Sequence, residues 1–159
     1  MNLTFKEKST WFSLFATLVI FGDYAISLFS MDASVLSNDD MVDMTLSYLG
    51  SAILYIIIVE VIFQSLIAAS SRNKMDLEGD ERDRLITLLA NNSGYWVLSI
   101  GVILSIGQLI LPHVLGIESL VEERITIPLF EIHLLLFSLI LAEIVRFSHQ
   151  VYLYRKDAM

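Results

Sequence analysis

The sequence predicts an all-α polytopic membrane protein with four transmembrane helices, both termini cytoplasmic, and a short amphipathic surface helix before the third span. Three observations predict it. Of 159 residues, 55% are hydrophobic and only 18% charged, against about 45–50% and about 25% in a soluble domain. A soluble domain this small has too much surface for its volume to bury that apolar content, and disorder needs the opposite composition. Four apolar stretches, 11–29, 49–69, 95–115 and 127–147, match the roughly 20 residues that cross a hydrocarbon core about 30 Å thick. The cations gather on one side of these stretches, as they do in cytoplasmic loops.

Each element has its own signals. Span one, Trp11 to Phe29, follows Lys6 and Lys8; its long apolar run without a small-x-small cleavage site reads as a retained helix, not a signal peptide. Span two, Leu49 to Ala69, is preceded by Asp39, Asp40 and Asp43, acids that suit a helix N-terminus. Ser93 is placed to cap span three, Tyr95 to Leu115, which Pro112 and Gly116 close. Pro128 fits the first turn of span four, Ile127 to Phe147, where a missing N–H is harmless. Backbone in hydrocarbon must satisfy itself, so the spans are helices. They are too long and too continuously apolar for barrel strands.

Nine of the ten Lys and Arg fall on one side: Lys6, Lys8, Arg72, Lys74, Arg82, Arg84, Arg146, Arg155 and Lys156. Only Arg124 falls on the other, and the segment 30–43 holds four Asp and no cation. This pattern predicts a multi-pass protein of a bacterial plasma membrane (an inner or cytoplasmic membrane), N-terminus and C-terminus inside. Trp11, Tyr95, Trp96, Tyr152 and Tyr154 fall near the inner interface and Tyr48 near the outer one, as aromatic belts do. Residues 1–159 read as one transmembrane domain, with the cytoplasmic loop 70–92 its main water-facing segment.

Ionisable groups inside spans are expensive and mark candidate sites. Glu60 falls close to the bilayer midplane, with Gln64 one turn away on the same face. Glu143 and Arg146 are an i,i+3 pair at the inner end of span four, and these four residues form a candidate inner cluster. A second group, Asp23, Gln108, His133 and Glu131, falls in the outer half. Glu131 and His133 are two apart and so face nearly opposite ways. Arg146 is the one obligate cation against four intramembrane carboxylates, Asp23, Glu60, Glu131 and Glu143. Glu60 is therefore expected to be protonated, to hold a cation, or to meet a partner in another subunit.

Several chemistries are excluded. With no cysteine there is no disulfide, thiolate metal site or thiol catalysis. The net charge of −8 argues against direct nucleic-acid binding. Glu131-x-His133 is not helical metal spacing, and no H-E-x-x-H, G-x-S-x-G or phosphate loop is present. No metal, no cofactor and no enzymatic activity are expected. Gly50, Gly94, Gly101 and Gly107 read as close-packing positions, and small residues in spans two and three suit a homodimer.

The most distinctive string is Gly79-Asp80-Glu81-Arg82-Asp83-Arg84-Leu85-Ile86. Asp80 can cap a helix whose first turn holds Glu81 and Asp83, with Leu85, Ile86, Leu88 and Leu89 as its apolar face. This is the predicted surface helix, separated from span three by Asn91-Asn92. Its charges, Asp80, Glu81, Arg82, Asp83 and Arg84, suit docking to a cytoplasmic protein partner. From Gly79 to Leu104, including Gly94-Tyr95, the chain resembles a group of small bacterial four-helix integral membrane proteins of unknown function. The resemblance implies partnership with cytoplasmic transcription regulators and supplies no catalytic residue. The leading expectation is a non-enzymatic regulatory or accessory membrane protein working through a cytoplasmic partner. The alternative is a small proton- or cation-coupled transporter, dimeric, with Glu60 and Asp23 as ion-binding carboxylates.

Overall fold

The computed structural model describes residues 5–31, 38–70, 80–116 and 128–156. All their regular structure is α-helical: α1 (Phe5–Phe29), α2 (Asn38–Ser70), α3 (Glu81–Leu115) and α4 (Phe130–Lys156). Three of these, α1, α2 and α3, are long and apolar enough to cross a membrane. The fourth, α4, is more polar, carrying Glu131, His133, Glu143, Arg146 and His149. Arg72, Lys74 and Arg124 lie outside the described residues.

Neighbours in space follow the order α2, α1, α4, α3. The α3–α4 contact is the most extensive, α1 packs on α4, and α2 packs on α1. The polar helix is thus a central one, flanked on both sides. A third of the most apolar window of α1 is buried, against 6% for those of α2 and α3. Most of the surface of α2 and α3 is apolar and uncovered by protein.

The interior is the more polar side of α1. Glu7, Thr10, Ser13, Thr17 and Tyr24 are buried, while Phe15, Leu18, Val19, Ile26 and Phe29 are exposed. Water would drive the reverse arrangement. In lipid, which is as apolar as leucine, helices instead associate through small and hydrogen-bonding residues. A small apolar core of Tyr24, Leu28 and Ala52 joins α1 to α2, with Leu136 and Phe137 of α4 against it.

The α3–α4 seam is a row of small residues. Ile86, Ala90, Gly94 and Ser105 are the buried positions of α3. A methyl at Gly94 would lie 3.0 Å from the Ala142 carbonyl oxygen and 3.1 Å from the Arg146 Cβ, and one at Gly101 would overlap Ser138. Gly50 and Gly107 meet nothing within 4 Å. Two of the four predicted packing glycines are therefore used within the chain, by α4.

Several boundaries differ from the sequence expectation. The surface helix and span three are one continuous helix of 35 residues, roughly 50 Å long at about 1.5 Å per residue. Asn91 and Asn92 are exposed within it. Asparagine costs a helix interior well under about 1 kcal/mol, and Ala90 and Gly94 on either side are held against α4, so no break forms. Ser93 does not cap a helix; its hydroxyl donates to the Leu89 carbonyl and bonds His149 Nδ1 at 2.7 Å. Pro112 sits inside the last turn of α3, which Gly116 closes in the left-handed conformation at φ 65°. Pro128 precedes α4 rather than entering it, and Leu129 turns the chain at φ 57°.

Candidate functional site

Three helix ends meet at one end of the molecule: the N-termini of α1 and α3 and the C-terminus of α4. The start of α3 is fixed by a reciprocal cap. Asp80 Oδ1 accepts the Asp83 N–H at 2.8 Å, and Asp83 Oδ2 accepts the Asp80 N–H at 3.4 Å. Thr87 donates to the Asp83 carbonyl at 2.8 Å and accepts from Gln150 of α4 at 3.4 Å. Arg155 of α4 pairs with Glu7 of α1 at 2.9 Å. Tyr154 is 2% exposed, and burial, then the Asp83 carboxylate, push its pKa up. These ties make the end a fixed platform.

On this platform lies a cleft of about 440 Å³, lined by Lys6 of α1 and by Asp80, Glu81, Asp83, Arg84, Thr87 and Leu88 of α3. It brings together four of the five residues assigned to partner binding. The fifth, Arg82, is exposed and does not line it. Three acids face two bases, so the lining is mixed in sign with a slight acidic excess. Asp80 and Asp83 also hold the helix start, which leaves Glu81, Arg84 and Lys6 as the charges without that duty. The sequence reading missed Lys6, because nothing in the spacing brings the first turn of α1 to the same cleft as the first turns of α3.

A second pocket of about 290 Å³ lies between α1, α2 and α4. Glu60, Glu143 and Arg146, predicted as an inner cluster, all line it. Arg146 Nε donates to both Glu143 carboxylate oxygens at 3.2 and 3.1 Å, and its Nη2 donates to Glu143 Oε2. The guanidinium also lies over the Phe147 ring, 4.1 Å from its centre. The fourth predicted member, Gln64, is on α2, and its side chain lies outside the described residues.

The outer group is not assembled as predicted. His133 is 2% exposed, and its Nδ1 shares a hydrogen bond with the Tyr24 hydroxyl of α1. Asp23, the neighbour of Tyr24, is exposed, as is Glu131, and Gln108 is half-buried on α3. Tyr24 was legible in principle. Thr10, Thr17 and Tyr24 recur at seven-residue spacing along α1, which keeps them on one face. Among the described residues no cluster of His, Asp and Glu is arranged to hold a metal ion. No family model, curated protein or solved structure matches the chain.

Proposed function

We propose that the protein is a non-enzymatic regulatory or accessory protein of a bacterial plasma membrane, acting through a cytoplasmic protein that docks at the Lys6–Arg84 cleft. The carrying observation is the cleft itself, which gathers Asp80, Glu81, Asp83 and Arg84 on a braced platform. Interleaved charges of both signs suit recognition of a folded protein, since such charges set register and exclude wrong partners. The resemblance of the Asp80–Ile86 string to small bacterial membrane proteins favours the same reading.

The orientation belongs to this proposal. The end that bears the cleft also carries Lys6, Lys8, Arg82, Arg84, Arg155 and Lys156, and cations concentrate on the cytoplasmic side. In this reading α4 is the fourth span, with His133, Ser138 and Gln150 buried against its neighbours. Dimerisation, if it occurs, uses faces other than Gly94 and Gly101.

The test exchanges charge without touching the helix cap. Wild-type protein and a Glu81→Lys, Arg84→Glu double variant are captured from native membranes in mild detergent, and co-purifying proteins are identified by mass spectrometry. A cytoplasmic protein held by the wild type and lost by the variant is the expected result. Identical contents for the two chains sink the docking reading.

A further inference from the structure

The membrane-level pocket holds more carboxylates than cations. Glu60 and Glu143 both line it, and Arg146 is the one cation that does. Arg146 is committed to Glu143 by two hydrogen bonds from Nε alone and by its ion pair through Nη2. No described residue bonds Glu60. An ionised carboxylate without a partner is costly at membrane depth, so the pocket favours an incoming positive charge.

The walls say what kind. Phe21 and Phe147 contribute aromatic rings, the latter already under the Arg146 guanidinium, Ile56 and Leu139 contribute aliphatic surface, and Thr17 supplies a hydroxyl. A hard divalent metal ion needs about six or more oxygen ligands, more than two carboxylates and one hydroxyl provide. An organic ammonium needs less: one carboxylate as counter-charge, an aromatic ring such as Phe21 for its N-methyl or N-methylene groups, and apolar walls for its tail. The volume, about 290 Å³, sits near the lower limit of small-molecule pockets at about 300 Å³. The Glu143 side chain on the rim is 40% exposed, so the pocket is open to a ligand.

We propose that this pocket binds a small lipophilic organic cation, an ammonium bearing an aromatic or branched aliphatic group, with Glu60 as its counter-charge and Phe21 and Phe147 as its walls. The Glu143–Arg146 pair closes one side and stays intact on binding. This site is separate from the docking cleft and stands or falls independently of it.

The probe is benzyltrimethylammonium, and its uncharged isostere 2,2-dimethylpropylbenzene is the control. Both are titrated into the full chain in nanodiscs, by equilibrium dialysis with labelled cation. Saturable binding of the cation is expected, with no competition from the isostere. Glu60→Gln, nearly isosteric, is expected to weaken binding by about tenfold or more. Leu139→Trp fills the pocket from an exposed position without altering its charge, and is expected to abolish binding. Size-exclusion profiles and thermal unfolding matched to the wild type show that both variants are folded. Glu81→Lys, Arg84→Glu is expected to leave binding unchanged. Equal binding to Glu60→Gln and wild type overturns the proposal, as does equal competition by the isostere or the absence of saturation.

Discussion

Tyr24 and Tyr154 are almost equally buried, 3% and 2% exposed, yet their hydroxyls stand differently. That of Tyr24 is bonded to His133; that of Tyr154 has no hydrogen-bond partner among the described residues. Removing one half of a buried pair leaves the other half unsatisfied, at about 1–3 kcal/mol. Tyr24→Phe is therefore expected to destabilise the protein by that amount in thermal unfolding. Tyr154→Phe removes a hydroxyl with no such buried pair, and is expected to cost less than Tyr24→Phe. The two also separate by pH. Burial raises the Tyr154 pKa above its ordinary value of 10.0, so folding favours its neutral form. The stability this gives is complete below about pH 10 and is lost as pH climbs toward the folded pKa. An alkaline unfolding series should show the wild type falling and Tyr154→Phe holding a flatter course. Of these pairings the sequence revealed the local one, Glu143–Arg146, because i,i+3 neighbours touch on any helix. Tyr24–His133 joins residues 109 apart, and no spacing rule reaches across that distance.

At the scale of the helix, composition located long apolar helices but not where they end. Hydrocarbon demands an apolar run of given length; it sets no limit on how far a helix continues into water. The N-terminal turns of α3 continue because Asp80 and Asp83 cap them and Gln150 holds Thr87 from α4. Glycine shows the same division. Sequence marked Gly94, Gly101 and Gly107 alike, but only the tertiary arrangement says which has a neighbour. Gly107→Ala meets nothing within 4 Å and should gain up to about 1 kcal/mol of helix propensity. Gly101→Ala earns the same propensity but must displace Ser138, and overpacking costs typically about 1–3 kcal/mol. The net expectation is that Gly101→Ala lowers the unfolding temperature in detergent while Gly107→Ala leaves it level or raises it. Equal shifts for the two would mean that α3 and α4 do not close on each other at this point.

For the whole molecule, the composition supplies a clean test of the crossing of α4 and of which end faces inward. The chain has no cysteine, so any cysteine introduced is the sole target of a membrane-impermeant maleimide. Lys8 lies near the start of α1 and Ser30 just beyond its end; Glu131 lies at the start of α4 and Lys156 at its end. All four are exposed. A four-span protein with both termini inside should label at Ser30→Cys and Glu131→Cys in intact cells. Lys8→Cys and Lys156→Cys should label only after permeabilisation. Labelling of Glu131→Cys and Lys156→Cys under the same condition would mean that α4 does not cross. A fully inverted pattern would put the charged cleft outside and remove the basis for a cytoplasmic partner. Cation counting favours the first outcome, and packing supports it independently. The most polar helix is the one flanked by α1 and α3, with His133, Ser138 and Gln150 buried against its neighbours, and hydrocarbon tolerates such a helix when its polar groups face protein rather than lipid. A helix lying on the membrane surface would have no need of that shielding, because water would satisfy the same groups.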